Sequence, residues 1–443
     1  MRSPRLRTAI GLGRVASWLS RVFGRGDGLV IGGKVVVAVC PDAFARLATG
    51  HRVVFVSATN GKTTTTRLLA AAMRAAGPVV TNDSGANMPA GIVAALARAP
   101  AAHAPSAQAA ETPAVIEADE TYLPSLLPGA HEPLLVLGNL SRDQLDRVGE
   151  VAMVARRWRK AFAATPGLAA VANADDPHVA WAAGLITDVT WVSVGQRWTA
   201  DSALCPNCGE ILRRAANPVD PVDPADPGWS CPSCGLSRPT PTWTLDAADT
   251  PIGTLVGPGD MRYPIALQLP GHANRANATM AVVAAQVLGV EPTTSLPAMH
   301  DVQSVGGRYQ VVSIGGRQVR LLLGKNPAGW SEMFGMLAPA PAPVVIAINA
   351  RAADGKDPSW LWDVPFEQLA DRFVVATGER RHDLGVRLLY ADVAHATVAD
   401  PWAALPPEVG DAGRPAHPAL DAVGTYTAFR ELLRRAGGAD DRG

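Results

Sequence analysis

No apolar run in the 443 residues approaches the roughly 18–20 that a membrane-spanning helix needs. Charge of one sign is also missing: 40 Lys and Arg balance 40 Asp and Glu. That balance removes support for whole-surface binding of nucleic acid or anionic membrane. Cysteine is scarce, and four of the five fall in two close pairs, Cys205 with Cys208 and Cys231 with Cys234. Such grouping argues for a metal in a reducing cytoplasm rather than for disulfides. Nor does a secretory leader fit, because arginines interrupt the first apolar segment and no cleavage site follows. What is present is a 48% apolar chain with room for two or three domains, each with its own core.

Residues 2–25 set Arg2, Arg5, Arg7, Arg14, Arg21 and Arg25 among apolar residues at near-helical spacing, which predicts a basic amphipathic helix. Such a helix packs on the rest of the protein or touches anionic lipid head groups, and packing is the commoner use. The runs Leu29–Cys40 and Pro343–Ile348 read as buried strands. Cys40, closing the first of them, reads as a core thiol rather than a nucleophile. Arg52–Ser57 reads as a strand leading through a glycine-containing turn into a helix from about Thr63 to Ala76, the opening unit of a parallel α/β domain. Further strands are expected at Ala114–Ala118, Leu134–Leu137 and Leu168–Ala172, a helix at Val151–Ala164 and a hinge near Glu291–Gly307. Val319–Leu323, Val344–Ile348 and Phe373–Ala376 then mark a second α/β domain. The expected division is an N-terminal segment 1–40, a central domain 41–300 with an insertion at about 201–240, and a C-terminal domain 301–443.

Between strand and helix stands Thr59-Asn60-Gly61-Lys62-Thr63-Thr64. Backbone amides at such a turn, with a helix N-terminus behind them, form an anion cradle. Lys62 is placed to reach terminal phosphates and the Thr63 hydroxyl to hold Mg²⁺. Val56 occupies the position of the first glycine in the full Walker pattern, so the pattern is incomplete. Cys205-Pro-Asn-Cys208-Gly and Cys231-Pro-Ser-Cys234-Gly are two knuckles separated by 22 residues. Their four thiolates suit tetrahedral Zn²⁺ with no open coordination position, a structural role. The intervening Pro/Asp-rich stretch reads as irregular loop and lacks the basic–aromatic stripe of a nucleic-acid surface.

The turn resembles the phosphate loop of the Mur ligase family and of folylpolyglutamate synthetases, where the incomplete pattern is normal. Other segments continue the resemblance in order. Glu117 matches a Mg²⁺-binding glutamate, although Gln144 replaces a histidine in Asn139–Asp146. Asn173-Ala174-Asp175-Asp176-Pro177 matches a further motif and also suits a ligand-free turn. Asn274 and Asn277 fall near the adenine, and Arg308 falls at the hinge arginine that reaches the nucleotide. Only about 50 residues precede the phosphate strand, too few for the uridine-nucleotide domain of most members. That short front, the four-cysteine insertion, Lys325-Asn326-Pro327 and Ala353–Trp360 together resemble the MurT type.

The resemblance implies an α/β fold: a Mur-ligase-like P-loop domain with a parallel sheet and a zinc-ribbon insertion, followed by a C-terminal α/β domain. It also implies ATP-dependent amidation of the D-glutamate α-carboxylate of lipid II, at the inner face of the cell membrane. No cysteine here has the context of a glutaminase nucleophile, so the nitrogen comes from free ammonium or from a partner; the resemblance implies a GatD-like glutaminase forming a heterodimer with this chain. Asp357, or else Asp354, is implied to complete the partner's triad; a plain Asp/Gly turn is the alternative. A stand-alone Mur-type or folylpolyglutamate-type amide ligase is the other reading, and a nucleic-acid ATPase a remoter one.

Overall fold

The computed structural model describes residues 3–23, 28–82, 85–99, 112–142, 151–214, 228–246, 252–302, 309–314, 317–401 and 420–437. These fall into two compact α/β units. The first takes the described residues up to Val302 apart from Arg142, and the second takes Arg142 with the residues from Tyr309 to Gly437.

The first unit is built on a nine-stranded sheet. Seven strands run parallel, in the order Trp243–Asp246, Asp188–Ser193, Ala169–Asn173, Leu134–Leu137, His51–Ser57, Thr112–Glu117 and Val80–Thr81. Gly253–Val256 and Arg262–Ile265 extend one edge in antiparallel fashion. The central strands are covered on both faces, so Val53 to Val56 and Leu134 to Leu137 are buried without alternation. At the antiparallel edge burial alternates, with Trp243, Leu245 and Leu255 turned inward. Helices Lys62–Arg74 and His272–Val287 cover one face; Leu68, Leu69 and Met73 share a core with Met280, Val282 and Val283. Each fully buried leucine there contributes roughly 1.5–3 kcal/mol.

The helix expected near the start is present as Pro4–Val22, with Pro4 at its first turn and the Ser3 hydroxyl accepting from the Leu6 amide at 3.4 Å. The strand expected at Leu29–Cys40 is instead the helix Leu29–Val39. A continuous apolar run fits a buried helix as well as a buried strand, and here three glycines decide. A Cβ on Gly13 would meet the Gly32 carbonyl oxygen at 2.8 Å, and one on Gly32 would meet the Gly13 oxygen at 2.7 Å. The first two helices therefore approach backbone to backbone, and Gly33 lies closer still to the Ala90 carbonyl of the helix Pro89–Arg98. Cys40 is fully buried as expected, and burial with the neighbouring Asp42 carboxylate raises its thiol above the ordinary value. Within the segment Glu291–Gly307 expected to hold a hinge, Pro292–His300 is a helix of the first unit, opened by Pro292 at a position where proline's missing N–H costs nothing, and the division between the units falls after Val302.

In the second unit the strand order is Tyr309–Ile314, Arg317–Leu323, Leu420–Gly424, Val344–Ala347, Val374–Thr377 and His395–Thr397. All neighbours are parallel except the first pair. Helix Tyr426–Arg435 packs Phe429, Leu432 and Leu433 on one face, and Trp330, Phe334 and Phe366 fill the other.

Candidate active site and metal centre

His51–Ser57 pairs with Leu134–Leu137 on one side and Thr112–Glu117 on the other, while the chain reaches them in the opposite order. The turn after His51–Ser57 therefore lies at the point where strand order reverses, the usual ligand crevice of an open parallel sheet. Gly61 enters the helix Lys62–Arg74 with φ +84°, and a Cβ there would strike the Asn277 side-chain oxygen. Only glycine satisfies both demands.

The turn is held by a strap following Leu134–Leu137. The Thr59 amide donates to the Asn139 carbonyl at 2.7 Å, and the Asn60 amide donates to Asn139 Oδ1 at 3.1 Å. Asn139 Nδ2 donates back to the Asn60 carbonyl at 2.9 Å, and Asn60 Nδ2 donates to Ser141 Oγ at 3.0 Å. The sequence-predicted residues Thr59, Asn60, Gly61, Lys62, Thr63 and Thr64 are thus brought to one preformed turn. Lys62 is buried; its Nζ donates to the carbonyls of Ala58 and Thr59 and to Glu120 Oε2 at 2.8 Å. Glu120, missed from sequence, is buried as deeply, and the one signal for it was its position three residues beyond Glu117.

Glu117 ends its strand 2% exposed. Its backbone exchanges two hydrogen bonds with Asn82, and its Oε1 accepts from Asn87 Nδ2 at 3.1 Å. Asn82 and Asn87 also escaped the sequence reading, lying in an irregular segment with no motif. Asn274 Nδ2 donates to the Pro270 carbonyl at 2.6 Å, and its neighbour Asn277 accepts from Thr65 Oγ1 at 3.2 Å. Arg308 and Asp143 to Asp146, including Gln144, lie outside the described residues.

In the Asn173–Pro177 segment, Asp176 caps the helix Pro177–Ala183 through the amides of His178 and Val179 and also accepts from the Leu140 amide at 2.9 Å. Asp175 accepts from the amides of Val194 and Gly195 and pairs with Arg238 at 2.7 Å. The motif is a structural clamp whose ends reach the phosphate-loop strap and the cysteine insertion.

The four cysteine sulfurs lie within 4.8 Å of one another. Cys205 and Cys234 approach to 3.7 Å, Cys208 and Cys231 to 3.4 Å. Ligands at 2.3 Å from one tetrahedral zinc stand about 3.8 Å apart, so the donor set fits Zn²⁺ in number, chemistry and spacing. The knuckles repeat one geometry: the Cys205 amide donates to the Glu210 carbonyl and the Cys231 amide to that of Leu236, each at 2.7 Å. Gly209 and Gly235 close them at φ +81° and +73°. The ribbon docks through Trp229, whose Nε1 donates to the Ala174 carbonyl at 3.0 Å.

In the second unit the two candidate aspartates separate. Asp354 is buried and accepts from the Thr427 amide at 2.7 Å, from the Thr427 hydroxyl and from the Arg351 amide. Asp357 is exposed; its Oδ1 accepts from the Ser359 amide at 2.8 Å, and bonds to Ser359 hold its carboxyl below the usual range. Asn326 caps the helix Pro327–Phe334 by accepting from the Gly329 amide at 2.9 Å.

This architecture, a phosphate-type turn at the switch point of a parallel sheet with a four-cysteine insertion and a following α/β unit, defines a Mur-ligase-like protein. MurF from Acinetobacter baumannii superposes with a TM-score of 0.62 over 90% of this chain and 79% of its own, at 13% identity. The Mur ligase middle domain model matches residues 56–202, and the MurT ligase C-terminal model matches residues 323–429. The MurT subunit of the lipid II isoglutaminyl synthase (glutamine-hydrolyzing) of Staphylococcus aureus is 30% identical over 87% of this chain and 88% of its own length. Its Streptococcus pneumoniae counterpart is 30% identical over 86% and 87%. The chain belongs to the MurT family.

Proposed function

We propose that this protein is the ATP-using synthetase subunit of a lipid II isoglutaminyl synthase, converting the D-glutamate α-carboxylate of lipid II to the amide. The observation that carries the reading is the preformed Thr59–Thr64 turn with buried Lys62 at the sheet's switch point, in a chain of this family. A carboxylate is a poor acyl donor. Its oxygen attacks the γ-phosphorus of ATP, the bond to the bridging oxygen breaks, and ADP leaves an acyl phosphate. The ammonia lone pair then attacks the acyl carbon; the adduct loses a proton and expels phosphate.

The turn amides and the Lys62 ammonium bind the phosphates and stabilise charge on the transferring group. Lys62 is already held by Glu120 and two carbonyls, so its cation is oriented before substrate arrives. Asn274 and Arg308 are assigned to the nucleotide. The Thr63 hydroxyl and the buried Glu117 carboxylate are hard oxygen donors that fit Mg²⁺, which supplies positive charge beside the phosphate oxygens. Zn²⁺ at the four cysteines orders the insertion and takes no part in chemistry.

Nitrogen comes from a GatD-like glutaminase subunit bound as a heterodimer, with Asp357 orienting that subunit's catalytic histidine. Exposure supports Asp357 over Asp354, whose oxygens are already spent on Arg351 and Thr427. Exposed Trp362 and Tyr390, with ring centroids 5.5 Å apart in the same unit, support a protein partner there. Among the described residues no helix is long and apolar enough to cross a membrane; the lipid-carried substrate places the reaction at the inner membrane face.

The test is co-expression with the candidate glutaminase, followed by an assay of lipid II amidation. Amidation is expected with ATP and glutamine, and with ATP and ammonium in the partner's absence. If neither nitrogen source drives ATP-dependent phosphate release with lipid II present, the reading is wrong. Metal analysis is expected to find one zinc per chain, lost in Cys208→Ser.

A further inference from the structure

The first helix carries a surface that the ligase chemistry leaves without use. Pro4–Val22 turns Leu6, Ala9, Ile10, Gly13 and Ser20 inward. Its opposite side bears Leu12, Val15, Leu19 and Val22 at helical spacing, flanked by Trp18 and Phe23. All six are exposed, from 40% for Leu19 to 73% for Phe23. The helix is thus apolar on two faces, and its own unit covers one of them. Val30 and Ile31 of the helix Leu29–Val39 are exposed as well.

Charge indicates what covers the second face. Arg7, Arg14 and Arg21 are spaced seven apart, so they fall in one line along the margin between the buried and the exposed apolar stripes. The helix has no acidic residue, and before Asp42 a single acid, Asp27, stands against six arginines and Lys34. An exposed apolar row edged by arginines, with an interfacial tryptophan, suits the boundary between phosphate head groups and acyl chains. The chain as a whole is neutral, so this basicity is local.

We propose that the helix Pro4–Val22 is a docking surface for an anionic lipid bilayer, lying in the membrane plane with Trp18, Leu19, Val22 and Phe23 against the acyl boundary. The line Arg7, Arg14, Arg21 meets lipid phosphates. Close glycine contacts with Leu29–Val39, and of that helix with Pro89–Arg98, tie this face firmly to the ATP-binding unit. The surface goes beyond the ligase reading and does not depend on it.

Flotation of the full chain with vesicles tests it, using phosphatidylglycerol mixed with phosphatidylcholine against pure phosphatidylcholine. The unaltered protein is expected to float with anionic vesicles, to be released by high salt, and to bind neutral vesicles far more weakly. Val15→Glu with Leu19→Glu should lower partitioning by roughly tenfold or more per residue, from the transfer energy of each side chain. Arg7→Gln, Arg14→Gln and Arg21→Gln together should cost about fivefold per arginine on anionic vesicles and leave binding to neutral vesicles alone. All five positions are exposed, so the thermal transition and nucleotide affinity should not move. Failure of the unaltered protein to float, or equal flotation with both vesicles, overturns the proposal. So does a homodimer or glutaminase complex that Val15→Glu/Leu19→Glu breaks in place of vesicle binding. The assay reads lipid alone, so its failure leaves the ligase reading intact, and an inactive ligase leaves this proposal intact.

Discussion

Two loops follow inner parallel strands of their sheets, and they are finished differently. After His51–Ser57 the functional side chains are tied to their own protein: Asn60 to Ser141, Lys62 to Glu120, the backbone to Asn139. After Val344–Ala347 one aspartate, Asp354, anchors the loop to the helix Tyr426–Arg435, and Asp357 is left in solvent. The first arrangement suits a small anion that must meet fixed donors in a crevice, where preorganisation lowers the barrier. The second suits a group offered to another macromolecule, which needs a rigid base and an accessible tip.

The comparison breaks first at Lys62. Lys62→Ala is expected to lower ATP-dependent turnover by on the order of 10³-fold or more with either nitrogen source. It also leaves Glu120 buried without its cation, a loss of roughly 3–5 kcal/mol in unfolding experiments. Adding Glu120→Gln should recover much of that stability and none of the activity; recovered activity would show that Lys62 is a structural cation only. Asp357→Asn comes next, with glutamine-driven turnover reduced by about 100-fold, a loss of roughly 2.7 kcal/mol, and ammonium-driven turnover within about twofold. Equal loss with both donors would erase the distinction between the loops.

Asp354→Ala should behave in the opposite way. Losing charge-assisted bonds to Thr427 and Arg351 costs roughly 2–3 kcal/mol of stability, with both nitrogen sources affected alike. The smallest expected effect at neutral pH concerns His272, at the start of the helix His272–Val287. Burial, then the nearby Arg197 and Arg275 cations, hold its imidazole down at about 4. The unfolded chain therefore binds the extra proton more readily between the ordinary histidine value, near pH 6.5, and pH 4. This contribution to stability is complete above that window and lost as pH falls through it. The loss is nil at neutral pH and amounts to roughly 3 kcal/mol once pH has fallen through the whole window, and His272→Gln should flatten the stability profile there. An unchanged profile would mean that other groups dominate acid unfolding.

What was legible in the sequence was local. The strand–turn–helix around Lys62 could be read because its signals lie within about fifteen residues, and the cysteine knuckles because each is four residues long with a closing glycine. Glu120 could not be read. Its partnership with Lys62 exists only because Thr112–Glu117 lies beside His51–Ser57, a pairing across 58 residues that leaves no local mark. Leu29–Val39 was misjudged for a related reason. Its apolar run is compatible with either state, and the glycines that decide it act through Gly13 and Ala90, on other helices. The sequence alone had no means of separating Asp357 from Asp354, because Asp354 is buried through Thr427, 73 residues further along the chain.

The Asn173–Pro177 clamp has a consequence for how the chain would respond to loss of the proposed zinc. Trp229 and Arg238 of the insertion grasp Ala174 and Asp175; Asp176 grasps Leu140; the residues either side of Leu140 grasp Asn60. A short series of contacts thus joins the cysteine cluster to the Thr59–Thr64 turn, which shares no residue with it. With zinc at the cysteines and nucleotide at the turn, as proposed, removing the zinc would slacken the far end of that series, and the first casualty would be the grip on nucleotide rather than the fold of the sheet.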